Sequence, residues 1–285
     1  MIFTRQGIPK IMKIAKSIRP LSSGSLSNLS VDNEGVAILT LNRPPVNSLN
    51  LELLQEIDKI LDEAAQNKFK ALIFTSATPT VFTAGLDLME MNKPDLKRAA
   101  LFWSTFQEVW LKIFESSFIT AAAITGQAPA GGCIIATSCE YRTMVSGKYK
   151  IGLNETTLGV SPPIWIIDAL RSTISPRQAE IALTTGKMFT VEEAFELGLI
   201  DEVAIDKEDA INKCKQFIKR FDNISPLARS ITKKKLRTKT TEWLKANRQA
   251  DVNDSVKLIS RQDFQKKLEI YIQSLKQREQ LNSIW

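Results

Sequence analysis

The chain has 285 residues, 44% hydrophobic and 24% charged, enough for one large domain with a sizeable core or a domain with an appendage. That composition excludes a collagen-like, wholly disordered or cysteine-stapled chain. The complete lack of histidine excludes Ser-His-Asp and Cys-His catalysis and histidine-bound zinc or haem, and leaves proton chemistry to Asp, Glu, Lys, Tyr or Cys. In chain order, residues 1–30 come first. They hold Arg5, Lys10, Lys13, Lys16 and Arg19, no acid, and many serines. Ile8, Ile11, Ile14, Ala15 and Ile18 recur at roughly helical spacing between the lysines, which is the pattern of a mitochondrial transit peptide; a disordered basic tail is the alternative. Much of the net charge of +7 belongs to this segment: without those five residues, 33 basic residues face 31 acidic ones. The remainder is therefore not a strongly basic, nucleic-acid-binding body.

Gly35–Leu41 alternates as a strand, and Asn42-Arg43-Pro44-Pro45 ends it. Leu51 to Gln66 reads as an amphipathic helix with Leu54, Ile57, Leu61 and Ala64 on one face. Ala71–Thr75 is a short apolar strand, Val81–Leu88 carries a central glycine, and Asp95–Phe114 is mostly helical. Ser116 to Cys139 holds no charge, a length that would allow a spanning helix. Gly126, Pro129, Gly131 and Gly132 argue instead for a buried strand (Ile119–Ile124), a Gly/Pro loop and a buried helix from about Gly131, with no membrane span. Tyr141–Ile151 is strand material, Val191–Leu199 and Lys207–Phe221 are helical, and Pro226 to Lys276 is helical and highly charged. Alternating strands and helices followed by helices alone predict an α/β core over 31–225 with a helical region over 226–285. Cys133, Cys139 and Cys214 are scattered, without a CxxC pair, and read as reduced buried thiols.

Three segments could build one site. In Phe82-Thr83-Ala84-Gly85-Leu86-Asp87-Leu88, a glycine beside an apolar strand end suits either a tight turn or close approach of a ligand. In Pro129-Ala130-Gly131-Gly132-Cys133-Ile134, small residues open a helix whose N-terminus offers free N–H donors; close helix–sheet packing would demand the same residues. In Ile151 to Val160, Glu155 is a lone acid in a stretch uncharged as far as Ile167. Apolar surroundings disfavour its charged form and raise its pKa toward neutrality, as a general base needs; an exposed loop glutamate is the alternative.

Taken in this order and spacing, Ala84–Leu88 (AGLDL), Pro129–Cys133 (PAGGC) and Ile151–Thr156 (IGLNET), with Pro44–Asn50 (PPVNSLN), resemble the crotonase (enoyl-CoA hydratase/isomerase) superfamily over about Gly35 to Lys276. The resemblance implies an α/β, crotonase-like spiral of ββα units with a C-terminal helical trimerisation region, hence a homotrimer. It implies an acyl-CoA substrate whose thioester carbonyl lies between the backbone N–H groups of Leu86 and Gly131. Ala84, Gly85, Leu86, Asp87, Leu88, Gly131 and Asn154 match substrate-binding positions, and Glu155 matches the shared catalytic glutamate. Hydratases of the family carry a second glutamate where this chain has Ile134, an apolar residue that cannot activate water. The implied activity is an isomerase that moves a 3-enoyl-CoA double bond to the 2-trans position in the β-oxidation of unsaturated fatty acids, in the mitochondrial matrix. It would need no metal or redox cofactor, coenzyme A being part of the substrate. A hydratase-like activity is one alternative. An RNA-binding relative is another, for which Lys233, Lys234, Lys235, Arg237 and Lys239 would be the basic cluster; a solvated helix face or contact to CoA phosphates is the expected use of that cluster. Pro162, Pro163, Ile164 and Trp165 are expected to wall the pocket or to pack in the core.

Overall fold

Strands β3 (Ala71–Ser76) and β5 (Ile119–Ile124) are buried at every position, as strands covered on both faces must be. The structure is a computed structural model that describes residues 25–282. Side chains alternate across the two strands. Leu72, Phe74, Ala122 and Ile124 face the main core with helices α1 (Leu51–Gln66) and α2 (Leu96–Phe114). Ala71, Ile73, Ala121 and Ala123 face Ala210, Cys214 and Ile218 of α7 (Lys207–Lys219), so the charge-free stretch is the middle of a layered α/β body.

The strands form two sheets that advance in step. Strands β1 (Ser27–Val31), β2 (Val36–Leu41), β3, β5, β7 (Tyr141–Val145) and β10 (Glu202–Ala204) lie side by side in that order. Strands β4 (Thr80–Val81), β6 (Gly126–Pro129), β8 (Lys150–Gly152) and β9 (Met188–Thr190) form the second sheet. The chain thus places β3, β5 and β7 as parallel neighbours in one sheet, and each following short strand as a neighbour in the other. Repeating this step, with α2 and then α3 (Gly131–Ser138) leading back, gives the spiral of ββα units.

Helix α1 begins at Asn50, whose side chain accepts from Leu53 N, and α2 at Asp95, which accepts from Arg98 N. The expected Gly/Pro loop before Gly131 is instead β6. A side chain at Gly126 would collide with the backbone of Thr80 on β4, so the glycine permits the pairing that apolar periodicity could not reveal. Helices α4 (Ile164–Arg171), α5 (Pro176–Thr185) and α6 (Val191–Glu196) follow, and then α8 (Pro226–Ile259) and α9 (Gln262–Asn282) form the C-terminal pair. The segment read as a leader lies outside the described residues as far as residue 24. Its last residues are described: β1 pairs with β2 from Ser27 onward, and Leu26 N donates to the Glu56 carboxylate. No helix among the described residues is long and apolar enough to cross a membrane.

Candidate active site

The segment Ala84–Leu88 is held to Leu49 by a single parallel bridge at Leu86. Leu49 N donates to Gly85 O at 2.8 Å and Asp87 N donates to Leu49 O at 3.0 Å. Alternate residues face opposite ways along such a pairing, so the N–H of Leu86 between them turns away from Leu49. The segment is held from behind by the Pro44–Asn50 motif. The buried Asn47 side chain donates to Ser76 Oγ at 2.7 Å and to Phe82 O at 3.2 Å, while the Asn47 backbone carbonyl accepts from Thr83 Oγ1 at 2.6 Å. Thr83 Oγ1 then accepts from Gly85 N at 3.1 Å. Nothing in composition or periodicity assigned Asn47 and Thr83 this role.

Gly131 is the first residue of α3, where a helix leaves its N–H without an internal acceptor. Ala130 before it has φ 46° and ψ −114°, a conformation that costs a non-glycine residue about 1–3 kcal/mol and re-aims the next amide. The two loops touch through their glycines. A Cβ on Gly131 would lie 3.0 Å from Leu86 N, and one on Gly85, at φ +88°, would lie 3.0 Å from Gly131 N and from Pro129 O. The N–H groups of Leu86 and Gly131 therefore sit close together, and neither has a protein acceptor among the described residues. Close approach of these backbones, open in the sequence for Gly85 and Gly131, is what the glycines serve.

Glu155 opens a 3-10 turn, Glu155–Leu158, capped by Gly159 at φ +78°. Thr156 Oγ1 donates to Leu183 O and ties the turn to α5. Glu155 Oε2 is buried without a hydrogen-bond partner. Burial pushes the carboxyl up to about 7, against a weaker opposite pull from its own backbone amide. A cavity of about 500 Å³ joins these parts: Ala84, Leu86, Pro129, Ala130, Asn154 and Glu155 all line it. Leu88 and Asp87 line it too, but Asp87 is engaged elsewhere: it pairs with Arg43 at 2.9 Å and accepts from Met89 N at 3.0 Å. Gly85 and Gly131 are not among the lining residues; they meet each other's loops beside Leu86 and Ala130, which are. Ile134 lines the same cavity as part of its apolar wall.

Two expectations divide. Pro162 and Pro163 line the cavity, whereas Ile164 is 40% exposed and Trp165 is fully buried between Phe106 and Trp110. The basic cluster is not a solvated face throughout. Lys233 is 7% exposed and pairs with Glu140 at 2.9 Å, and Arg237 stacks over Phe114, 4.1 Å from the ring centroid, while donating to Phe114 O and Ser138 O. Two of its five cations are thus consumed inside the fold, which removes much of the ground for an RNA surface there.

The enoyl-CoA hydratase/isomerase family model matches residues 31–280. The chain is 40% identical over 245 residues to the human protein named enoyl-CoA delta isomerase 1, mitochondrial, covering 85% of this chain and 81% of that one. It is 39% identical over 246 residues to the mouse protein of the same name, covering 86% and 85%. A short-chain-enoyl-CoA hydratase of Clostridium acetobutylicum is 30% identical over 213 residues, covering 73% of this chain and 80% of that one. The crystal structure of human mitochondrial delta3-delta2-enoyl-CoA isomerase superimposes with a TM-score of 0.86 at 38% identity, over 89% of this chain and 99% of that one. With a spiral of ββα units, two facing glycine loops and a match across most of its length, the chain belongs to the enoyl-CoA hydratase/isomerase family.

Proposed function

We propose that the protein is an enoyl-CoA isomerase that moves the double bond of a 3-enoyl-CoA to the 2-trans position. One observation carries this above the others: among the described residues lining the cavity, Glu155 alone has a carboxylate oxygen that is buried without a partner, with Ile134 where a water-activating acid would stand. The C2 proton of a 3-enoyl thioester is acidified by the carbonyl on one side and the double bond on the other. Glu155 removes it, the electron pair moves onto the thioester oxygen as a dienolate, and Glu155 returns the proton at C4. The double bond ends between C2 and C3, and protons and electrons balance without a metal or redox partner; coenzyme A enters only as part of the substrate. The N–H groups of Leu86 and Gly131 would hold the enolate oxygen, each contributing about 3–4 kcal/mol to the barrier reduction. An apolar cavity keeps the transferred proton from water.

Asn154, beside the base, and Ala84, Gly85, Leu86, Asp87, Leu88 and Gly131 form the acyl-CoA path in this proposal, Asp87 through its ion pair rather than a free carboxylate. The exposed apolar residues of α8, among them Leu227 and Leu236 at 69% and 82% exposure, support assembly into a homotrimer. The mitochondrial relatives and the basic, acid-free residues 1–30 support a mitochondrial address, which we place in the matrix. Steady-state assay of Glu155→Gln tests the scheme: turnover is lost while acyl-CoA still binds. Substantial residual isomerisation would contradict a single base, and robust hydration of 2-trans-enoyl-CoA by the wild type would contradict the part given to Ile134.

A further inference from the structure

The cavity follows one face of α2. Ala99, Phe102, Trp103 and Phe106 line it at helical spacing, along about 10 Å of the helix axis. Trp103 differs from the others in having its ring tied down. Its Nε1 donates to Asp251 Oδ2 on α8 at 2.7 Å. The same oxygen accepts from Gln107 Nε2 at 2.7 Å, and Trp165 Nε1 lies 3.4 Å from each Asp251 oxygen. One carboxylate thus gathers donors from α2 and α4 onto α8. Trp165 does not reach the cavity; the ring of Trp103 stands against it edge-on, with centroids 6.4 Å apart. The Trp103 ring is therefore the partition between the apolar cavity and a polar cluster, on the helix face along which an acyl tail would lie.

From this juxtaposition we infer that Trp103 is the specificity-determining residue for acyl length, with Asp251 as its positioning residue. A fatty-acyl tail gains affinity until it meets the ring, and longer tails are refused because the ring cannot swing aside. The substrate class rests on the isomerase proposal. A carboxylate is suited to this work because hydrogen bonds to a charged acceptor are stronger and more directional than those to a neutral one. Ala99 and Phe102 have no such tether, and their movement would leave no polar group unpaired.

The test is kcat/KM for a ladder of unbranched 3-enoyl-CoA substrates from six to sixteen carbons, with wild type, Trp103→Ala, Trp103→Leu and Asp251→Ala. In the wild type kcat/KM rises by up to about fourfold per added methylene and then breaks downward. Both Trp103 variants move the break to longer chains, Trp103→Ala further than Trp103→Leu, and the milder variant carries the test if the alanine protein does not fold. Asp251→Ala spreads the break over neighbouring lengths without a uniform loss. A break at the wild-type length in the Trp103 variants, or a loss equal at all lengths in any variant, overturns the inference. Thermal protection by a ladder of saturated acyl-CoAs repeats the measurement without turnover. If that ladder breaks and shifts as described while no 3-enoyl-CoA is isomerised, the isomerase proposal fails and the length gauge stands.

Discussion

Glu140 accepts from Thr120 N at 3.1 Å, from Arg229 at 2.7 Å and from Lys233 at 2.9 Å, whereas Glu155 keeps an oxygen with no partner. Both carboxylates are largely withdrawn from water, and burial alone would raise the pKa of each. At Glu140, Lys233 and Arg229 outweigh burial and hold the carboxyl below its ordinary value. Lys233 is itself lowered to about 8 by burial, with Glu140 opposing. At Glu155 nothing cationic opposes burial, and the group is lifted to about 7. The first arrangement joins α8 to the end of α3 and loses its purpose if the charge is lost. The second keeps a carboxyl poised between its two protonation states near neutral pH, at a cost to stability.

Exchanging each glutamate for glutamine sharpens the contrast most. Glu155→Gln is expected to lower kcat by about 10²–10⁴-fold. Glu140→Gln is expected to leave kcat of the folded enzyme within about twofold but to lower unfolding free energy by about 3–5 kcal/mol, because two cations stay buried without their anion. Chemical denaturation and steady-state assay of both variants check this; a rate collapse in Glu140→Gln with stability intact would break the distinction.

The next effect is in stability against pH. The folded-state pKa of Glu155, about 7, lies above its ordinary value of 4.5, so the folded protein holds this proton more tightly than the unfolded chain. The stability associated with it is fully present below pH 4.5 and is lost as pH rises through 7, up to about 3 kcal/mol. Glu155→Gln removes that loss: denaturation curves of variant and wild type should agree near pH 4 and separate by pH 8, with the variant more stable. Equal stability at pH 8 would mean that the carboxylate is solvated. The smallest effect is a slope. Below pH 7, kcat/KM should fall about tenfold per unit as the base is protonated, and above pH 7 it should level off. A flat profile down to pH 5 would contradict the raised pKa.

Much of the frame was legible because it depends on local rules. Asn50, four apolar residues at helical spacing and Gln66 define α1 without reference to the rest of the fold. The charge-free run from Ser116 announced a buried centre, and the lone acid at 155 announced a raised pKa. What remained hidden depends on partners distant in sequence. β6 exists because Gly126 lies under Thr80, forty-six residues earlier. The cluster around Lys233 turns inward because Glu140, ninety-three residues away, is there to receive it. Trp103 and Asp251 meet across 148 residues, and no periodicity joins them. Of the helices after Val160, α4 and α5 carry no legible signal: α4 is a short, almost wholly apolar run that packs on α3 and α8, and α5 shows few apolar positions and packs on α4 and on the turn at Glu155.

The central claim is that one carboxyl carries one proton from C2 to C4 in a dry cavity, and isotope transfer tests it most directly. A 3-enoyl-CoA dideuterated at C2 is converted in ordinary water, and product formed before equilibrium is analysed by mass spectrometry and NMR. The account predicts a 2-trans-enoyl product that keeps one deuterium at C2 and carries a substantial part of the other at C4. Product with only solvent hydrogen arriving at C4 would contradict it.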